Sequence, residues 1–177
     1  MPTIDPKRSI LLVVDFQERL MPAIAEGDAT IANARRLLDT ATMIGIPTLF
    51  TEQNPKGLGQ TVRGLAKNGT PVIPKMTFDA VRAPGFLPAL APGHALVVAG
   101  CEAHVCVCQT VLGLIGTRRQ VYVVRDAVGS RRAESKETAI LRMARHGAEI
   151  VTTEMVLFEW LETAEHPSFR KVVASIK

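Results

Sequence analysis

Six short runs rich in aliphatic and β-branched residues punctuate the chain: SILLVVD (9–15), PTLFT (47–51), TPVIPK (70–75), HALVVAG (94–100), QVYVVRD (120–126) and AEIVTT (148–153). They read as strands buried on both faces of a parallel sheet. Between the first two, Ile31, Ala34, Leu37, Leu38, Ala41 and Ile44 recur at helical spacing, and Gly45 follows where a left-handed cap is favoured. The same order of helix, glycine and strand recurs at 105–116 before the fifth run and at 134–147 before the sixth. Three such repeats predict βαβ units. Right-handed crossovers then give an α/β fold, a three-layer α/β/α sandwich with a six-stranded, mostly parallel sheet, with ligands expected beyond the carboxyl ends of the strands.

Two segments break this pattern. Residues 53–69, QNPKGLGQTVRGLAKNG, are polar and glycine-rich, which suits a surface loop able to fold over a site. Residues 76–93 carry Pro84, Pro88 and Pro92 and are expected to form short helical turns. The tail from Glu154 predicts one or two short helices, with Pro167 starting the second. No linker or low-complexity tract divides the chain, so a single domain over 1–177 is expected.

Composition narrows the function classes. With 47% hydrophobic and 21% charged residues in 177, the chain can bury a sizeable core. Its net charge of +4 comes from scattered pairs such as Arg35-Arg36, Arg118-Arg119 and Arg131-Arg132, and aromatics are only 5%, so no nucleic-acid partner is expected. No apolar run approaches the ~20 residues of a membrane helix, and the start, with Pro2, Asp5 and Pro6, lacks a signal-peptide pattern. No membrane partner and a cytoplasmic location are the expectation. Cys101, Cys106 and Cys108 crowd together, which argues against a disulfide framework.

Three ionisable residues fall where this topology puts functional groups. Asp15 ends the first strand, Lys75 ends the third, and Cys106 lies just past the fourth, near the first turn of a helix. Parallel strands bring all three to one edge of the sheet. A helix N-terminus and an ammonium stabilise a thiolate, so Lys75 and the helix end are expected to lower the Cys106 pKa, with alkylation by iodoacetamide still fast at about pH 6. A carboxylate beside them, Asp15, can take the thiol proton and return it to a leaving group. Taken singly, each residue has an ordinary structural role: a buried apolar cysteine, a capping aspartate. Placement alone leaves the site and these structural roles equally open.

Cys108, two residues beyond Cys106, points elsewhere on a regular helix and reads as core packing. Cys101 is expected to border the pocket. A zinc site using His104 lacks the paired C-x2-C spacing, so no metal is expected; no G-x-G-x-x-G follows a strand and no Walker pattern is present, so no cofactor is expected either.

The motifs VVDFQERLMP, PVIPKMTFDAV, VVAGCEAHVCVCQTVLGL, VYVVRDAVGSR and VTTEMVLFEWL together resemble the isochorismatase-like cysteine hydrolase superfamily along nearly the whole chain. TEQNPKGLGQT and AEHPSFRKV make it most similar to isochorismatase domain-containing hydrolases. The resemblance implies a catalytic triad of Asp15, Lys75 and Cys106, a cis peptide at Cys101-Glu102, and an oxyanion hole from the backbone N–H groups of Glu102 or Ala103 with Cys106. Nicotinamidases of that superfamily carry metal-binding histidines after the second strand, where this chain has TEQNPKGLGQ, so nicotinamidase activity is in doubt. The expected activity is cysteine-dependent hydrolysis of a small amide, imide or ester through a thioester. A non-catalytic binding or regulatory protein and a thiol redox sensor using Cys101 are the rivals. Phe16, Gln17, Gln53 and Phe78 are the expected pocket lining, and a homo-oligomer, dimer or larger, is expected, with MVLFEWL either at its interface or packed on the sheet.

Overall fold

The computed structural model describes residues 3–65 and 69–176. Residues 66–68 of the glycine-rich loop, Pro2 and both extreme ends of the expected 1–177 domain lie outside the described residues. Six strands appear where apolar runs predict them: β1 (Ser9–Val14), β2 (Thr48–Gln53), β3 (Val72–Lys75), β4 (Ala95–Cys101), β5 (Val121–Gly129) and β6 (Glu149–Val151). The helices are α1 (Gly27–Ile44), a single turn α2 (Pro55–Leu58), α3 (Cys108–Gly116), α4 (Ala133–Arg145), α5 (Thr153–Leu161) and α6 (Phe169–Ile176). None is long and apolar enough to cross a membrane.

The strands form one parallel sheet in the order β3-β2-β1-β4-β5-β6. The chain therefore starts in the middle, winds outward to β3, and returns to the other side of β1. The reversal opens a crevice between the carboxyl ends of β1 and β4, where ligands of such sheets bind. Asp15 follows β1, and Cys106 follows β4 by five residues.

Side-chain alternation explains why the central strands are so apolar. In β1, Leu11 and Val13 pack toward α1, α5 and α6, while Ile10, Leu12 and Val14 pack toward α3 and α4. In β4 the split is Val97, Ala99 and Cys101 against Leu96 and Val98. Both faces are covered, so polar residues on them are few. Gly100 sits at a tight point of the backbone: a Cβ there would lie 2.5 Å from the Val14 carbonyl oxygen and 3.1 Å from Val107 Cγ2. Only a glycine lets the ends of β1 and β4 meet the turn that follows β4 so closely.

The differences from the sequence reading have local causes. β5 runs on to Gly129 because the register shifts: Val98 pairs with Val123 but Gly100 with Val128, so extra residues of β5 bulge out before pairing resumes. β6 stops at Val151 because Thr152 takes an extended conformation and its hydroxyl accepts the Met155 N–H, capping α5. Gly45 adopts φ 80° and closes α1 as predicted. Residues 76–93 form two short turns, Ala80–Arg82 and Leu87–Ala89, and α6 begins two residues after Pro167. Most of MVLFEWL packs inward: Val156, Leu157, Trp160 and Leu161 are buried, leaving Met155 and Phe158 exposed.

Candidate active site

Asp15 and Lys75, sixty residues apart, meet in a buried ion pair. Lys75 Nζ lies 2.6 Å from Asp15 Oδ2, and both side chains are fully buried. Lys75 reaches it from the end of β3, the edge strand, across β2. Its ammonium also donates to the carbonyls of Thr77 (3.3 Å) and Phe78 (3.4 Å), so the chain folds its own carbonyls around the charge. A buried charge survives only when paired and hydrogen-bonded in this way.

Asp15 has φ 54°, a left-handed conformation uncommon for a residue other than glycine. Its N–H donates to the Thr51 carbonyl (3.1 Å), and its Oδ1 accepts from the Thr51 hydroxyl (2.6 Å). The carboxylate thus has Thr51 on one oxygen and Lys75 on the other.

Cys106 completes the group: its buried thiol lies within the electrostatic reach of both Asp15 and Lys75. It lies in a π-wound turn, Ala103–Val107, that precedes α3. The Cys101-Glu102 peptide bond is cis. Two contacts fasten this turn to the turn after β5: Glu102 Oε1 accepts from Arg131 Nε (2.9 Å) and N–H (3.3 Å), and His104 Nδ1 lies 3.0 Å from Ser130 Oγ.

The expectation of an acidic thiol is overturned. Burial and the Asp15 carboxylate push the Cys106 thiol up to about 12, outweighing the opposing pull of Lys75. Desolvation disfavours the thiolate, and a carboxylate that accepts the S–H bond disfavours it further. A raised pKa keeps the neutral thiol across the physiological range, with roughly one part in 10⁵ ionised at neutral pH. Alkylation of Cys106 by iodoacetamide is therefore expected to be about a hundredfold slower than that of free cysteine near neutral pH, after allowing for the greater nucleophilicity of a more basic thiolate. The rate should climb about tenfold per pH unit into the alkaline range. Labelling that is already fast and flat at about pH 6, followed by peptide mass spectrometry, would contradict this.

The Isochorismatase domain model matches residues 9–155, which span every strand and all three groups just described. The chain belongs to the isochorismatase family. It is 40% identical to isochorismatase domain-containing protein 1 of Danio rerio over 98% of its own length and 62% of that protein's, so it spans about three fifths of this relative. A Caenorhabditis elegans structure named MAR1 ribonuclease matches with a TM-score of 0.91 and 38% identity, over 98% of this chain and 92% of that one. The ycaC gene product of Escherichia coli, described as an octameric hydrolase of unknown specificity, matches with a TM-score of 0.89 and 26% identity over 99% and 97%.

In this isochorismatase-family chain the residues expected around the pocket separate. Phe16 is fully buried in the layer under α1, on the opposite side from Val14, because the left-handed residue Asp15 breaks the alternation of β1. Gln17 is fully buried too, and its amide is a clamp: Nε2 donates to the carbonyls of Gln53 (3.0 Å) and Gly59 (2.7 Å), and Oε1 accepts the Gln53 N–H (2.9 Å). It binds the loop 54–65 to the segment after Asp15, where Gln17 also bridges Thr61. Gln53 donates to the Met76 carbonyl (3.3 Å), steadying the segment that holds Lys75, and Phe78 contributes its carbonyl while the residue is 48% exposed. A cavity of about 630 Å³ opens beside this segment, lined by Asn54, Pro55, Pro74, Lys75, Met76 and Pro84.

The other cysteines also sort by layer. Cys101 does not border the crevice: it follows Val97 and Ala99 into the layer under α1, opposite the face of Cys106, and burial raises its thiol to about 12. Cys108 is core, packed toward α4. Sequence reasoning missed Thr51, Ser130 and Arg131. Thr51 is a hydroxyl in an otherwise apolar run, a visible signal, but its partner depends on strand register.

Proposed function

We propose that the chain is a cysteine-dependent hydrolase of small amides, imides or esters. The observation that carries this reading is the buried Asp15–Lys75 ion pair with the buried Cys106 thiol beside it. A resting neutral thiol calls for a base within reach at the moment of attack, and Asp15 is that base. As Cys106 sulfur bonds to the substrate carbonyl carbon, its proton passes to the Asp15 carboxylate. The carbonyl oxygen, now an anion, is received by the backbone N–H groups of Glu102 or Ala103 together with Cys106. Asp15 returns the proton to the departing amine or alcohol, leaving a thioester. Water then attacks the thioester, gives a proton to Asp15, and the acid leaves as the proton returns to sulfur. Throughout, Lys75 balances the Asp15 charge in a dry site, which keeps the carboxylate available as a base.

The redox alternative loses its second thiol, since Cys101 faces the other layer. Three unpaired cysteines suit a reducing compartment, the cytosol. The octameric E. coli neighbour supports assembly of this chain into a homo-oligomer. In this reading its partner is a small-molecule substrate rather than nucleic acid or a membrane. The test is a panel of small amides, imides and esters with purified protein, plus a short RNA because of the name carried by the C. elegans neighbour. Hydrolysis of at least one amide, imide or ester is expected. Inactivity on all of them, or cleavage of RNA alone, contradicts the reading.

A further inference from the structure

The geometry points to Thr51 as the positioning residue of this site: it holds the Asp15 carboxylate against the Cys106 thiol from the neighbouring strand, through both its hydroxyl and its carbonyl. Thr51 is fully buried in β2, where its neighbour in register is Val14, the residue before Asp15. Its carbonyl accepts the Asp15 N–H (3.1 Å) and its hydroxyl donates to Oδ1 (2.6 Å). Two contacts from one residue define both the main chain and the side chain of Asp15. That matters because the main chain there is left-handed at φ 54°, a conformation an aspartate keeps only when its surroundings over-determine it. Lys75 cannot do this alone. It grips Oδ2 only, from a flexible four-carbon arm, and leaves the carboxylate free to turn about that contact. With Oδ1 fixed by Thr51, the carboxylate plane is set, and the thiol meets a defined oxygen lone pair. A threonine hydroxyl has a single proton to give, and here it goes to Oδ1.

The inference rests on the hydrolase reading only for its turnover arm. Thr51→Val keeps the shape and removes the hydroxyl. Hydrolysis is expected to fall about tenfold in kcat with KM within about twofold, since the lost hydrogen bond is to a charged group. Thr51→Ser should restore the rate to within about threefold. The second arm needs no substrate: iodoacetamide alkylation of Cys106 at about pH 8, read by peptide mass spectrometry. A carboxylate released from Thr51 no longer holds the S–H bond that keeps the thiol neutral, so alkylation should speed up at least about threefold. In an Asp15→Asn background the same substitution should change the alkylation rate by less than about 1.5-fold, because Thr51 acts through that carboxylate.

Alkylation unchanged or slower in Thr51→Val, or accelerated equally in both backgrounds, overturns the proposal; equal acceleration marks general loosening. If the valine variant does not fold, Thr51→Ala carries the same comparison. Absence of turnover in the wild-type protein would count against the hydrolase reading, while the alkylation cycle still decides the role of Thr51.

Discussion

Cys106→Ala is expected to reduce hydrolysis of any substrate found for the protein by about four orders of magnitude or more, to the level of uncatalysed background. The size follows from its role. An alanine offers no atom to bond to the carbonyl carbon, and the fixed hydrogen-bond donors of the turn can stabilise an oxyanion only if some nucleophile creates one. Asp15→Asn should cost somewhat less, about three orders, since an amide cannot accept the thiol proton but the thiol remains. The two substitutions should part company in alkylation. Asp15 raises the thiol pKa by its charge and by accepting the S–H bond, so Asp15→Asn should alkylate faster at a given pH while hydrolysing slower. A merely damaged site would lose both reactivities together. Comparable hydrolysis by Cys106→Ala and wild type, measured by product release, contradicts the assignment of the nucleophile.

Lys75→Ala is expected to be the most destabilising single change at the site, by about 3–5 kcal/mol in urea denaturation. The Asp15 carboxylate would be left fully buried, with the Thr51 hydroxyl and the thiol but no positive charge. The carbonyls of Thr77 and Phe78 would lose their donor at the same time. Removing both charges is a different matter. Asp15→Asn combined with Lys75→Met should recover most of the stability of Lys75→Ala, because it takes away the uncompensated charge and refills the volume of the arm. It should recover no hydrolysis. Lys75→Ala within about 1 kcal/mol of wild type would contradict a dry, closed ion pair.

How far the sequence carried the fold depends on what periodicity encodes. Apolar runs reveal strands covered on both faces, and Gly45 announces the end of α1. Register is not encoded in the same way. The shift between Val98 and Gly100 lengthens β5 beyond its apolar run, and the placement of Thr51 one strand from Asp15 comes from pairing that no spacing along the chain displays. Strand ends in a parallel sheet converge, so topology brought Asp15, Lys75 and Cys106 to one edge, while the resemblance of their motifs was needed to single them out as a site. The surrounding residues were less legible. Phe16 and Gln17 are neighbours of Asp15 in sequence, but one faces the core under α1 and the other clamps the loop. Cys101 fails through alternation along β4, which turns it away from Cys106. The thiol was expected to be acidic from its cationic neighbour and the helix end. Burial, which sequence does not show, decides the opposite.

The central claim is that Cys106 sulfur becomes acylated during turnover. The most direct measurement is to mix the protein with p-nitrophenyl acetate, quench with acid in the steady state, and map the adduct by intact-protein and peptide mass spectrometry. An acetyl group on the peptide bearing Cys106, removed by hydroxylamine as a thioester is and absent from Cys106→Ala, is the expected result. An acetyl group on another residue, or rapid turnover with Cys106 unmodified at every time point and undiminished in Cys106→Ala, would contradict it.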